Sequence, residues 1–247
     1  MIEITINEAM KNLMGSCPGL YADFVIDFSD VSIASISSAY KCGDAIAIKT
    51  LWSNSNEYIW YICDTGDSNM DLALADLNTY DKNEFDKILI HAKELDSINC
   101  LIFSCFGTPY EDEFIRALNE SDSEQMLSLT TVHDDDNPFS KSISECLRNN
   151  YLSIKKDSSI HTLGIFEGVT LTGAISIKNK HNSVIVISDI FVPKEYRGKG
   201  YATRLIHAAL SMYPGVRYSY SCGTDNNASI SSAKSAGFVF EGTYDFL

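Results

Sequence analysis

Residues 183–210 constrain the fold of this chain more than any other part of the sequence. Val184 to Val192 is apolar and largely β-branched, broken only by Ser188 and Asp189, which predicts a mostly buried strand that ends at Pro193. After a short loop, apolar residues recur at the spacing of a helix with one buried face: Ala202, Leu205, Ile206, Ala209, Leu210 and Tyr213. The stretch therefore predicts a strand, a tight loop and an amphipathic helix.

The loop between this strand and this helix reads Arg197-Gly198-Lys199-Gly200-Tyr201-Ala202. A helix N-terminus presents unpaired N–H groups and about half a positive charge, and the two cationic side chains add to it. The two glycines let a ligand approach the backbone. The loop therefore suits a phosphate or pyrophosphate, and a plain glycine turn with two solvated cations is the alternative. It is neither a P-loop nor a dinucleotide fingerprint, because Gly-x-x-x-x-Gly-Lys-[Ser/Thr] is absent and position 203 is Thr.

Two signatures in the second half of the chain resemble those of the GNAT acyltransferases. The loop at 197–202 fits that family's acyl-CoA-binding motif, Arg/Gln-x-x-Gly-x-Gly/Ala. Farther along, Asn226-x-x-Ser229 precedes a predicted helix and Gly237-Phe238, and members of the family commonly end in the same way. The resemblance covers residues 140–247, and the two signatures agree in order and spacing.

The predicted elements of the second half follow the order of the GNAT core from its second strand to its end. Helices are predicted at 140–149, from Ala202 onward, and from a cap at 225–227 to Ala236, with strands at 158–166, 169–177, 184–192, 216–222 and 238–244. The fold class expected from the resemblance is α+β, with a mixed, mostly antiparallel sheet flanked by helices.

The first half shows a similar order of elements. Strands are predicted at 44–52, 57–63, 72–77, 99–105 and 124–132, and helices at 6–13, 82–95 and 111–119. The first two strands are expected to form a hairpin through turn residues 53–56. A second GNAT-like domain in tandem is expected, without an acyl-CoA site, because residues 78–84 contain neither glycine nor arginine. An unrelated α+β domain is the alternative.

A polar segment, His133 to Phe139, contains proline and predicts a boundary, with domains at 1–135 and 136–247. The net charge of the chain also changes sign at this boundary. Residues 1–136 carry 7 Lys/Arg and 25 Asp/Glu, a net charge of −18, whereas residues 137–247 carry 12 and 8, a net charge of +4. The acidic half argues against nucleic-acid binding, and the basic half suits a small polyanion such as coenzyme A. A solvated surface is the simpler interpretation of the acidic half.

Several classes of protein are excluded by what the sequence lacks. No apolar run approaches the ~20 residues of a membrane span, and the first residues do not read as a secretory signal. A cytoplasmic protein, monomer or homodimer, without a membrane partner is expected. The seven cysteines include no Cys-x-x-Cys pair and no neighbouring histidine at metal spacing, so reduced structural thiols are expected and no metal.

The resemblance implies acyl transfer, with acetyl-CoA as the expected co-substrate, to a primary amine of a small or amino-acid-like molecule. Backbone groups of Ile190, Phe191 and Val192 would pair with the pantetheine arm. The pyrophosphate would lie on the loop residues Arg197, Gly198, Lys199, Gly200, Tyr201 and Ala202. Asn226 would bond the arm, with Ser229 nearby, and Asn226 is equally well interpreted as a helix cap.

Proton transfer is the less defined part of the expected site. Asp189, on the strand that faces the expected thioester, is the candidate base, and an aspartate bonded to nearby backbone is the alternative. Many family members carry a tyrosine four residues before Gly-Phe as the acid, but this chain has Ala233 there. Ser232 is the candidate substitute, and Tyr220 and Tyr244 are others. The missing tyrosine keeps a second hypothesis open, a CoA-binding sensor or interaction module without catalysis. A plain α+β scaffold is a third.

Overall fold

The structure is a computed structural model that describes residues 2–16, 34–43, 45–52, 57–64, 87–92, 100–131, 140–153, 158–178 and 184–246. Its strands are β1 (Ile2–Ile4), β2 (Ala34–Cys42), β3 (Ala45–Trp52), β4 (Glu57–Asp64), β5 (Lys87–Ala92), β6 (Cys100–Phe106), β7 (Ile115–Ala117), β8 (Ile160–Glu167), β9 (Thr170–Lys178), β10 (Val184–Phe191), β11 (Arg217–Gly223) and β12 (Val239–Phe246). Its helices are α1 (Ile6–Ser16), α2 (Ser123–Thr131), α3 (Ser140–Ser153), α4 (Tyr201–Ser211) and α5 (Asn227–Ser235).

Contacts divide the chain into two compact units. Unit 1 contains residues 1–104, 221–226 and 240–247, and unit 2 contains residues 105–220 and 227–239. Residues 105–131 therefore pack with the second unit, although they precede the predicted boundary. As a statement about domains, the division into 1–135 and 136–247 stays a prediction.

Unit 1 is a mixed sheet in the order β1-β2-β3-β4-β5-β12-β6. The pairs from β1 to β4 are antiparallel, β4 and β5 are parallel, and β5 pairs antiparallel with β12. The hairpin of β3 and β4 confirms the pairing predicted for these two strands. Helix α1 packs Ala9 and Leu13 against Ile46 and Ile48 of β3. The apolar face of α1 thus closes one core of this unit.

Unit 2 is a mixed sheet in the order β11-β10-β9-β8-β7. Only the pair of β10 and β11 is parallel. Helices α2 and α3 cover β8, β9 and β10 through a core of Leu118, Met126, Leu129, Leu147, Tyr151, Phe166, Leu171, Ala174 and Phe191. Helix α4 buries the face that the sequence predicts, with Leu205, Ile206 and Ala209 fully covered. The expected fold class, α+β with a mostly antiparallel sheet flanked by helices, is confirmed.

Three elements predicted for the first half are wrong. The described part of the predicted helix 82–95 is strand β5, whose backbone pairs with both β4 and β12. The predicted helix 111–119 contains strand β7, because the Asp112 side chain accepts a hydrogen bond from the Phe114 amide (3.1 Å) and bends the chain into a turn. The predicted strand 124–132 is helix α2. The predicted strand 72–77 lies outside the described residues.

A capping box explains why residues 123–131 form a helix and not the predicted strand. Asn119 accepts a hydrogen bond from the Ser121 amide (2.9 Å), and the Asp122 carboxylate accepts one from the Asn119 amide (2.9 Å). These bonds satisfy donors of a 3-10 turn, Glu120–Asp122, that leads directly into α2. Among the helices that the structure describes, none has the length and apolar character needed to cross a bilayer.

Candidate functional site

Strand β10 leaves its parallel partner half-way along its length. The register with β11 runs from Val184 opposite Arg217 to Ile187 opposite Tyr220, and it ends there. On its other side β10 stays paired with β9 as far as Phe191 opposite Ala174, with one extra residue, Ser188, between the paired positions 187 and 189. This is a β-bulge, which bends a strand and ends pairing locally. Residues 188–191, which we term the open edge, thus extend beyond the parallel register.

The loop after β10 has a backbone that only glycine adopts easily at two positions. Gly198 has φ +77° and Gly200 has φ +76°, and Gly200 is the residue immediately before helix α4. A Cβ atom at either position would meet nothing within 4 Å. The glycines are therefore required by their backbone conformation, while the space beside them is free for a ligand to reach the N-terminus of α4.

The two cations of the loop have different surroundings. Arg197 donates from Nε to the Val192 carbonyl oxygen (3.0 Å), which folds its side chain back along the end of β10. Lys199 forms an ion pair from Nζ to Oε1 of Glu167 (2.6 Å), and the Tyr201 hydroxyl donates to the same carboxylate. The Lys199 bond and then the Tyr201 bond lower the pKa of Glu167, and the carboxylate raises the pKa of Lys199. One cation of the loop therefore already has an anionic partner.

Glu167 is a functional candidate that sequence reasoning missed. It ends strand β8, just before the turn at Gly168, and its carboxylate meets two side chains of the loop at 197–202. The pairing of β8 with β9 and of β9 with β10 brings these distant positions together. The only sequence signal was a turn after a strand, which says nothing about the loop.

Asp189 lies at the bulge and is held by two neighbours. Asn150 of α3 donates from Nδ2 to Oδ2 of Asp189 (2.6 Å), and the Ser188 hydroxyl donates to the same oxygen (2.7 Å). Burial raises the pKa of Asp189 above its ordinary value, and Ser188, Lys178 and Asn150 offset part of that rise. A carboxylate with a raised pKa on the edge of an extended strand can accept a proton from a nucleophile.

The hydroxyl groups considered as acids are spread over different elements. Ser232 is half-buried on α5, and its carbonyl accepts from Ala236, so its described role is within the helix. Ala233 is 0% exposed, and its carbonyl accepts from Phe238. Tyr220 is buried, with its ring 5.8 Å from that of Phe238. The side chain of Tyr244 lies outside the described residues. The part of Ser232 in catalysis stays a prediction.

The second signature flanks the start of helix α5. Asn226 immediately precedes the helix, at the position of a cap, and its amide donates to the Gly223 carbonyl (3.1 Å). Asn226 belongs to unit 1, whereas Ser229 and the loop at 197–202 belong to unit 2. The roles of Asn226 and Ser229 toward a pantetheine arm stay predictions.

Among the described residues no cluster suits a metal ion, and burial lowers the acidity of two thiols. Across the described ranges, no three His, Cys, Asp or Glu side chains come together as a metal would require. Burial raises the pKa of the Cys105 thiol to about 12 and that of Cys222 to about 11. These two thiols stay protonated near neutral pH, and a protonated thiol is a poor nucleophile.

Comparisons with known proteins agree with this geometry. The model of the acetyltransferase (GNAT) family matches residues 104–238. A GNAT-family acetyltransferase from Colwellia psychrerythraea has a similar structure over 98% of this chain and 96% of its own, with 12% identity and a TM-score of 0.56. A GCN5-related N-acetyltransferase from Sphaerobacter thermophilus is similar over 99% and 93%, with 11% identity and a TM-score of 0.56. No curated protein matches the sequence. At these identities the two solved structures show a shared fold.

Proposed function

Because this chain belongs to the acetyltransferase (GNAT) family, we propose that it transfers an acetyl group from acetyl-CoA to a primary amine of a small, amino-acid-like molecule. The observation that carries the proposal is the departure of β10 from β11 at the bulge, directly before the glycine loop. The family supports acyl transfer in general. The acyl donor, the acceptor and the residue roles below are the proposal.

The donor fits the shape and charge of the described site. The open edge offers backbone groups to an extended chain, as an edge strand does, so the pantetheine arm would pair with Ile190, Phe191 and Val192. The pyrophosphate would lie against the N-terminus of α4, where Gly198 and Gly200 leave space and Arg197 and Lys199 add charge. A backbone N–H of the open edge would face the charge that develops on the thioester oxygen.

The reaction moves one acetyl group and one proton. The amine nitrogen attacks the carbonyl carbon, a C–N bond forms, and the C–S bond breaks with its electron pair on sulfur. The attacking species is the neutral amine, which has first lost one proton to solvent because an amine of lysine type has an ordinary pKa of about 10.4. Asp189 then takes the second proton from the nitrogen as the C–N bond forms. Water protonates the leaving thiolate, because the position that carries a tyrosine in many relatives is the buried Ala233. The hydroxide that remains takes the proton back from Asp189, which restores the carboxylate.

Turnover with acetyl-CoA and a panel of amines, followed as release of free thiol, tests the proposal. We expect release above the hydrolysis rate with at least one amine, and a fall of about 100-fold or more in kcat/KM for Asp189→Asn, within the usual range for a lost general base. Glu124→Gln, an exposed carboxylate on α2, is the matched control and should keep wild-type kinetics. No release across the panel would contradict the proposal.

A second candidate, a CoA-binding module without catalysis, is favoured by one observation. Ala233 is fully buried and carries no hydroxyl, so the usual acid is missing at that position. Calorimetry with acetyl-CoA shows binding under both ideas, and only turnover distinguishes them. Binding with no turnover for any amine would favour the module.

The loop assignment has its own test, which applies to both candidates. Arg197→Glu should weaken acetyl-CoA binding at least about 10-fold, because a charge-assisted bond to phosphate is worth about 1.5–3 kcal/mol. Lys11→Glu makes the same charge reversal at an exposed position on α1 and serves as the control. Equal dissociation constants for the two variants would contradict the assignment of the phosphate site to this loop.

A further inference from the structure

Asn150 is a polar residue of helix α3 that reaches the bulge of β10. Its Nδ2 lies 2.6 Å from Oδ2 of Asp189 and 3.2 Å from the Ser188 hydroxyl. The Ser188 hydroxyl in turn lies 2.7 Å from the same Oδ2. The three side chains therefore form a closed triangle around one oxygen of the carboxylate.

The direction of each bond in the triangle follows from chemistry. An ionised carboxylate only accepts hydrogen bonds, so both Asn150 and Ser188 must donate to Oδ2. The hydroxyl uses its one proton in this way and accepts from the amide with a lone pair. Oδ1 of Asp189 receives no hydrogen bond from any side chain within the described part of the chain. One oxygen is anchored, and the other remains available to accept.

Helix α3 fixes the position of Asn150. Leu147 and Tyr151, on either side of it in sequence, belong to the core of unit 2. The Tyr151 hydroxyl also donates to the Asn119 carbonyl oxygen (2.6 Å), which fixes the C-terminal part of the helix. Asn150 thus lies on a packed surface of α3, and its amide has a defined place against β10.

We propose that Asn150 is a positioning residue, which holds Oδ2 of Asp189 so that Oδ1 faces the amine nucleophile and takes its proton. The inference rests on the proposed function, since it assigns Asp189 as the base of that reaction. The transferred proton moves from the nitrogen to Oδ1 as the C–N bond forms. Sulfur leaves with the electron pair of the broken C–S bond and is protonated by water.

The charges around Asp189 are few, so its titration can be interpreted. Lys178 of β9 is the charged group among the described residues whose electrostatic effect on Asp189 is resolved. Helix α3 contributes the neutral amide of Asn150, and β10 itself contributes the Ser188 hydroxyl. From the described residues of β11 and α4, which also pack against β10, no charged group is resolved as acting on the carboxyl.

The test compares Asn150→Ala with Asn149→Ala, a neighbouring and exposed asparagine on the same helix. Removing a donor to the ionised form should raise the pKa of Asp189 by on the order of one unit, since a hydrogen bond to the carboxylate favours its ionised form. The acidic limb of kcat/KM should therefore move to higher pH. On the alkaline plateau, where Asp189 is ionised in both proteins, kcat should stay about 10-fold lower with KM unchanged, because the carboxylate is no longer held.

The outcomes separate positioning from a structural role. If the pH profile of Asn150→Ala matched that of Asn149→Ala, the proposal would be overturned. A shifted acidic limb of kcat/KM with an unchanged kcat on the alkaline plateau would also overturn it. If Asn150→Ala does not fold, Ser188→Ala removes the other donor to Asp189 and should also move the acidic limb of kcat/KM to higher pH. An unshifted limb would count against the proposed hydrogen-bonded triangle.

A second measurement does not need activity. The NMR titration of the Asp189 carboxyl carbon, assigned with Asp189→Asn, should show the higher pKa in Asn150→Ala. If the wild type transfers no acetyl group, the proposed function fails and the role of Asp189 as base fails with it, yet this titration still decides whether Asn150 holds the Asp189 carboxylate. An unchanged Asp189 pKa would overturn it.

Discussion

Glu167 is a single residue that, under the proposed function, would compete with the phosphates of acetyl-CoA at the loop of residues 197–202. Its carboxylate pairs with Lys199 (2.6 Å) beside the two positive-φ glycines. Removing this charge by Glu167→Gln should tighten acetyl-CoA binding, because the phosphates no longer compete with a carboxylate for Lys199. Both side chains are well exposed, 46% and 43%, so we expect a gain of at most about 5-fold at low salt, in the range of a surface pair.

Calorimetry at low and high salt checks this prediction for Glu167. Glu124→Gln removes an exposed carboxylate elsewhere and should leave the dissociation constant unchanged. The gain for Glu167→Gln should shrink in about 0.5 M salt, since surface charges are then screened. Weaker binding by the variant would show that Glu167 orients Lys199 for the ligand instead of competing with it.

Where chemistry is local, residue identity alone selects candidate positions. Arg197, Lys199 and the two glycines could be selected from the sequence, because a cationic glycine loop before a helix suits an anion, and their role toward a ligand stays a prediction. Asp189 was selected as the acidic residue in an apolar strand. Its partner Asn150 was not, since a helix residue 39 positions away meets it only through tertiary packing.

At the level of elements, the sequence predicted strands and helices reliably where one face is buried. Strand β10 is a continuous β-branched apolar run and helix α4 carries a clear period-3.6 pattern, and both formed at the expected places. The bulge at Ser188 could not be predicted, because it is a shift in the register between β10 and β9, which the sequence of one strand does not specify. The helix predicted at 111–119 is wrong for a different reason, because side-chain hydrogen bonds of Asp112 compete with helix formation.

Gly107 holds helix α4 close to the chain that follows β6. Its amide donates to the Val216 carbonyl (2.8 Å), and its carbonyl accepts from Gly215 (2.9 Å). A Cβ there would lie 2.3 Å from the Tyr213 carbonyl oxygen and 2.7 Å from that of Leu210, both backbone atoms. Gly107→Ala should therefore force the end of α4 to move and lower the free energy of unfolding by about 1–3 kcal/mol.

Gly164→Ala is the matched control for Gly107→Ala. Its Cβ would also meet atoms below 3 Å, but these are the methyl ends of Leu171 and Leu118, which can rotate away. Urea denaturation of the two variants should show the larger loss for Gly107→Ala. Equal losses would mean that the backbone of α4 yields as easily as the leucine side chains.

On the scale of the whole molecule, the two units repeat one pairing pattern. Antiparallel β2, β3 and β4 are followed by parallel β4 and β5, as antiparallel β8, β9 and β10 are followed by parallel β10 and β11. The order of predicted elements already suggested a second domain of the same kind, and the strand pairing shows the repeat directly. The β4–β5 register runs from Ile59 to Cys63 of β4, close to its end at Asp64, and β3–β4 shows no shifted residue. This continuous pairing is a physical reason for expecting no acyl-CoA site in the first half, which stays a prediction.

The stability of the folded chain should depend on acid through Asp112. Its carboxylate accepts two hydrogen bonds from Arg204 of α4 (2.7 Å each), which together with the Phe114 and Tyr110 bonds lower its pKa below the ordinary value. A carboxylate with a lowered pKa in the folded state stabilises the protein above its unfolded pKa of about 3.9. That contribution is lost as the pH falls through the lowered folded value.

Asp112→Asn should therefore lower the free energy of unfolding at pH 7 by about 1–3 kcal/mol, the range for a hydrogen bond to a charged group left without its partner. The difference from wild type should shrink as the pH drops below about 4, because the wild-type carboxylate is then losing its charge as well.

Glu113→Gln is the control, since it removes one negative charge from an exposed side chain in the same loop. The chain carries a net charge of −14 at pH 7, so acid also relieves repulsion in every variant equally, and only the difference between variants reports on Asp112. A loss for Asp112→Asn that stays constant from pH 7 to pH 3 in urea denaturation would show that Arg204 is held by the shape of the loop and not by the charge of its carboxylate.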